Sequence, residues 1–224
     1  EERGLEFLKQ MNFFTINEKT ILIVVLFLAV FLRFFNLPSN PSSLYWEEAA
    51  LGYDAYSLLK TGKDHRGNPW PITYIESYMD YKPPLYVYTV IPSVALFGLN
   101  EFAVRFPSAL FGTLTVLVIY FLTKELFFIS SSTFVKRNPL QERKPRDDPG
   151  ININNLNSYN NQSSASNRLL SASNHLPIIS SLLLAISPWH LQFSRVAFEP
   201  NLAFFWLIFV KGLLKSYFIF AFIF

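Results

Sequence analysis

The sequence contains no cysteine. That excludes disulfides, thiolate metal sites and a cysteine nucleophile. Histidine is almost as scarce: His65, His175 and His190 are scattered without H-x-x-x-H spacing, so no zinc pattern is present. Neither a Walker A sequence nor a dinucleotide glycine fingerprint occurs, which argues against a soluble nucleotide-binding fold. Charged residues make up only 16% of the chain, and the net charge is +3. No basic face is interleaved with aromatics, so no nucleic-acid partner is expected. A signal-peptide pattern is also missing, because the first apolar run is too long and lacks a small-residue exit.

Apolar residues are abundant instead: 51% of the chain is hydrophobic, with 24 Phe and 11 Tyr. Long apolar runs with few charges point to a multi-pass integral membrane protein. Candidate spans run from about Thr20 to Leu37, from Phe102 to Leu122, from about Leu176 to Trp189, and from Leu202 to Leu214. Arg33, near the end of the first, can snorkel to the interface, and Pro38 and Pro41 end that helix. Pro83–Gly98 is apolar but short and interrupted by Pro92, and reads as an interfacial or re-entrant helix. The expected fold is all-α, with about four spans.

Charge asymmetry gives an orientation. The loop from Pro38 to Lys82 holds Lys60, Lys63, Arg66 and Lys82 against six acids, whereas Lys124, Lys136, Arg137, Arg143, Lys144 and Arg146 follow the second span. The positive-inside rule puts the second group in the cytoplasm and the first loop outside. Four regions result: a cytoplasmic segment 1–19; two spans with an outer loop 38–101, within 20–129; a disordered, Asn/Ser-rich cytoplasmic loop 130–175; and two further spans in 176–224. A bacterial or archaeal cell membrane is the expected location. The chain lacks an initial Met and ends inside the apolar run KSYFIFAFIF, so a truncated parent is expected.

Chemistry-bearing residues concentrate beside the expected spans. Glu47 and Glu48 open an amphipathic helix whose Leu51, Ala55, Leu58 and Leu59 form one stripe that can rest on lipid. As acids in a first turn they suit the helix dipole; as carboxylates at a membrane surface they suit a general base acting on an acceptor hydroxyl. Lys82, held stiffly before Pro83 and Pro84, is either an ordinary interfacial lysine or a point charge for a lipid phosphate. Arg105 lies four residues after Glu101, in reach of a helix salt bridge or of a functional role at the start of a span. The segment Ser187–Pro200 brings His190, Arg195 and Glu199 to the same expected face. A lone histidine is more often structural, but three loops converging acids and bases on one face favour a site.

These residues fall in a familiar order. Trp46-Glu47-Glu48-Ala49, Gly52–Gly62, Tyr81–Tyr86, Asn100–Arg105, Pro107–Gly112, Leu184–His190 and Gln192–Arg195 with Ala197–Glu199 resemble, as a set, the N-terminal part of membrane glycosyltransferases of the dolichyl-phosphate-mannose–protein mannosyltransferase type, including bacterial aminoarabinose lipid A transferase relatives. The resemblance covers about 20–129 and 176–214. It implies a GT-C fold and inverting transfer of a sugar from a polyprenyl or dolichyl phosphate to a protein or glycolipid acceptor on the outer membrane face. It also implies Glu47 as base, with Glu48 as the second acid. Lys82, Arg105 and Glu199 match family positions and would bind substrate; His190 and Arg195, placed on the same face by their loop, are expected to join them. No cofactor is implied, and a divalent metal is left open. The Asn/Ser tract and the short length depart from the family. An inactive fragment or a non-catalytic lipid-binding module is therefore the rival reading. A transporter segment is a weaker rival, since the ionisable residues sit near span ends rather than in mid-span.

Overall fold

The computed structural model describes residues 17–77, 79–137 and 175–223, with side chains at 128–137 and 214–223 outside that description. The elements are α1 (Glu18–Phe34), α2 (Trp46–Thr61), a hairpin of β1 (Ile75–Ser77) and β2 (Asp80–Lys82), α3 (Leu85–Phe97), α4 (Glu101–Arg137), α5 (His175–Ile186), α6 (Pro188–Arg195) and α7 (Glu199–Ile223). The architecture is mostly helical. The hairpin is the exception to the all-α expectation, with Ile75 opposite Lys82 and Ser77 opposite Asp80.

Local sequence sets these boundaries. Asn17 caps α1 by accepting from the Lys19 N–H at 3.3 Å. In α2 the third helical residue, Glu48, reaches back to the Tyr45 N–H at 2.9 Å, one half of a capping box. Gly62 ends α2 in the left-handed region, φ 69°, and its N–H bonds Leu58 O. Asn100 caps α4 through the Ala103 N–H. Between α2 and the hairpin, Asp64 gathers the Arg66 and Asn68 N–H groups and the Asn68 amide into a compact turn. Burial works to raise the Asp64 carboxyl, but the Asn68 and Arg66 hydrogen bonds outweigh it and hold it below its ordinary value.

One core joins α2, α3 and α4, with Leu51, Ala55, Leu58, Ile75, Tyr86, Val87 and Val90 buried in it. The α2 stripe expected to face lipid is thus packed inside the protein, except for Leu59, which is exposed. It is covered because α3 is held across it. Tyr86 Oη donates to Val104 O, and Ser93 Oγ donates to Ala103 O at 2.6 Å, fastening α3 to α4. The expected interfacial or re-entrant segment is therefore a 13-residue helix with Val87 and Val90 fully buried.

About four spans were expected. Among the described residues, one helix has the length and apolarity to cross a bilayer by itself, over Glu101–Phe127. A second arises only if α5 and α6 count as one span bent by 56° at Ser187. The first expected span is a helix of 17 residues, about 25 Å long at 1.5 Å per residue. Within the expected 130–175 loop, α4 continues through 130 to Arg137, and α5 starts at His175. The rest of that loop, and the N-terminal segment up to residue 16, lie outside the described residues.

Gly112 sets the spacing between α4 and α6. A Cβ there would lie 2.3 Å from Ser194 Cβ and 3.3 Å from Arg33 Nε. Nearby, Ser108 Oγ donates to Phe193 O, and Asn201 donates to Ser108 O, tying α4 to both α6 and α7.

Candidate functional site

Where α1, α2, α4 and α6 meet, three arginines are buried: Arg33, Arg105 and Arg195. Each satisfies backbone carbonyls. Arg105 Nη1 donates to Leu37, Pro38 and Pro41 O, and Nη2 to Ser43 O, so it gathers the proline-broken loop that follows α1. Its Nε and Nη2 also grip Glu48, at 3.1 and 3.0 Å. Arg195 donates to the carbonyls of Leu32, Phe35 and Asn36, covering the C-terminal end of α1, and to Asn40 O. Arg33 donates to Leu184 O and Ala185 O at the end of α5, where Pro188 has no N–H to continue the helical ladder.

Arg33 does not snorkel. It is fully buried, and its Nη2 lies 2.7 Å from His190 Nδ1. Arginine can only donate, so Nδ1 accepts and the proton sits on Nε2, a buried atom with no hydrogen-bond partner. The structure thus ties His190 to Arg33, and Arg195 to the end of α1.

Glu48 is 3% exposed and fully engaged. Oε1 accepts from Arg105 Nε and from the Ala197 N–H at 2.7 Å; Oε2 accepts from Arg105 Nη2 and the Tyr45 N–H. One carboxylate therefore joins the start of α2 to α4 and to the segment leading into α7.

Glu47 stands differently. Its side chain is 30% exposed, and Oε1 lies 3.7 Å from Lys82 Nζ. Lys82 is buried at the end of β2, yet Nζ makes no hydrogen bond, and Glu199 Oε1 is likewise buried without a partner. Glu199 opens α7, ahead of the apolar run from Leu202. Burial raises its proton affinity; Lys82 opposes that, and Glu47 and Asp80 reinforce it. The structure therefore pairs Glu47 with Lys82, and Glu199 lies near enough to feel the charges of both and of Asp80. Sequence reasoning did not single out Asp80; its place two residues before Lys82 was the available signal. Buried polar atoms ordinarily find partners. Two left open, of opposite charge type and beside a half-exposed carboxylate, make this cluster the candidate active site. Among the described residues, no group of three or more carboxylate or imidazole side chains is placed to hold a metal ion.

Residues 81–135 match the family model for dolichyl-phosphate-mannose-protein mannosyltransferase. The match begins at β2, takes in Lys82 and Arg105, and ends near the close of α4. Over these residues the chain is similar to that family, a likeness that suggests a membrane mannosyltransferase-like glycosyltransferase domain. No curated protein and no solved structure matches the chain.

Proposed function

We propose that the protein transfers a sugar from a polyprenyl- or dolichyl-phosphate donor to a hydroxyl acceptor at the membrane surface, with inversion at the anomeric carbon. Glu47 is the base. It takes the proton of the acceptor hydroxyl, whose oxygen attacks the anomeric carbon as the bond to the lipid phosphate oxygen breaks. Lys82 receives the departing phosphate as a point charge. Glu48 and Arg105 hold α2 in register, so that Glu47, one residue earlier, faces Lys82. In this reading Arg195 and His190 act through the backbone frame rather than on the substrate. Glu199 lies close enough to influence donor or acceptor hydroxyls. The aminoarabinose-type chemistry and the outer-face location belong to the same proposal.

The observation that carries this reading is Lys82 Nζ: buried, without a hydrogen bond, 3.7 Å from Glu47, and within the stretch matching the mannosyltransferase family. A buried ammonium that makes no hydrogen bond is costly, and a phosphate oxygen would satisfy it. The test is to incubate membranes carrying the protein with labelled polyprenyl-phosphate sugars and to identify the labelled acceptor. Glu47→Gln should lower turnover by about 10²–10⁴-fold with donor binding nearly intact. Turnover within a few-fold of the parent would remove Glu47 from the base role. No transfer from any such donor would favour the non-catalytic reading.

A further inference from the structure

A concavity lies on α2, and neither Glu47, Lys82 nor Glu199 lines it. Its volume is about 640 Å³, within the roughly 300–1,000 Å³ of small-molecule sites. Small residues open it: Ala49, Ala50 and Gly52 form the floor beside Tyr53. Gly52 brings α2 against α4, since a Cβ there would lie 2.6 Å from Val104 Cγ2. Leu99 and Val104 supply an apolar wall.

The polar part of the wall is one-sided in chemistry. Asp54, His65, Ser77, Asn100 and Glu101 line it, and no lysine or arginine does. Asp54 is 2% exposed, and Oδ1 accepts from the His65 N–H at 3.0 Å and meets His65 Nδ1 at 2.6 Å. A carboxylate accepts, so Nδ1 holds a proton and donates it to Asp54. The Asp64 turn fixes the backbone on either side of His65. The wall is therefore rich in acceptors and carries negative charge. It repels phosphates and carboxylates. It suits a ligand bearing several hydroxyl donors and no negative charge, with an apolar face to lay on Ala50 and Leu99. Tyr53, 57% exposed, adds a ring of the kind on which a sugar's C–H face rests.

The geometry points to a binding site for a neutral saccharide on α2, separate from the phosphate-binding cluster. Ala50 follows Glu47 by three residues, about 5–6 Å between Cβ atoms on a helix. A saccharide seated there has a hydroxyl within a helical turn of Glu47. Its role as the acceptor's sugar unit rests on the transferase reading; the binding itself does not.

Photo-crosslinking tests the site. The protein in lipid nanodiscs is exposed to a diazirine-bearing neutral alkyl glycoside, and labelled peptides are mapped. Label is expected at 49–54 or 99–104, competed by the unmodified glycoside but not by a sugar phosphate. Ala49→Trp, which fills the floor from an exposed position, should cut labelling at least tenfold; Asp54→Asn should also cut it, and a melting curve reports whether the His65 turn survives. Label elsewhere, equal competition by the sugar phosphate, or preferential displacement by a Ser/Thr peptide would overturn the assignment. Lys82→Met separates the two readings: glycoside labelling should persist there even if donor binding and transfer are absent.

Discussion

Glu47 and Glu48 are adjacent in sequence, lie in the same helical turn, and both face a cation, yet they serve opposite ends. Glu48 accepts four hydrogen bonds from Arg105, Tyr45 and Ala197 and is shut away from solvent. Glu47 has one cation at 3.7 Å and an open side. Two adjacent helical positions are turned by about 100° from each other. That turn puts one acid into the frame and the other at its edge. A fully bonded charge pair fixes position and has no capacity left for a ligand. A pair with free donor and acceptor sites can exchange partners during a reaction. Residue type alone would have given the two acids the same role.

The contrast can be broken at either pair, and the Arg105 side should respond most strongly. Arg105→Leu leaves Glu48 as an uncompensated buried carboxylate and releases the carbonyls of 37–43; a loss of about 3–5 kcal/mol is expected, read by thermal or denaturant unfolding in detergent. A change below about 1 kcal/mol would show that the pair is not structural. Lys82→Met, close in volume, should act the other way round. Stability should hold or rise, because a buried ammonium that makes no hydrogen bond disappears, while transfer should fall by about 10²–10³-fold. Comparable losses of stability in the two variants would erase the distinction between frame and site.

Glu199 gives the smallest effect and a pH-dependent one. Its carboxyl is raised by burial, so the folded chain holds that proton more tightly than the unfolded chain. Stability from this group is complete below the ordinary value of about 4.3 and is lost as pH rises through the folded value. Glu199→Gln should flatten that decline in melts taken from about pH 4 upward. An unchanged slope would show that the carboxylate is solvated rather than buried beside Lys82.

Much of this cluster was legible from types and order. Acids after an apolar run, a lysine before two prolines, and an acid after the Ser187–Phe198 segment marked Glu47, Lys82 and Glu199. What the sequence could not divide was frame from site. Arg105 and Arg195 looked like phosphate ligands, because a cation near a membrane suits either an anion or a helix end. The carbonyls of Leu32, Leu37 and Ser43 arriving within reach favour the frame. The α2 stripe failed for a related reason: periodicity shows that Leu51, Ala55 and Leu58 share a covered face, but not whether lipid or α3 covers it. Pro83–Gly98 was judged by length against a bilayer, whereas Tyr86 and Ser93 fasten it to α4.

The hydrogen atom that stands for a side chain at Gly112 has a long reach. Any larger group would wedge α6 away from α4, beginning at Ser194. Arg195, the next residue, would be drawn off the end of α1, and Ala197 off Glu48. The lever arm then runs along α2 by a single residue to Glu47. A substitution inside the longest apolar helix would thus register as misalignment of a carboxylate at the helix ends, without touching that carboxylate or its lysine. The tolerance at position 112 measures how stiffly the frame carries the site.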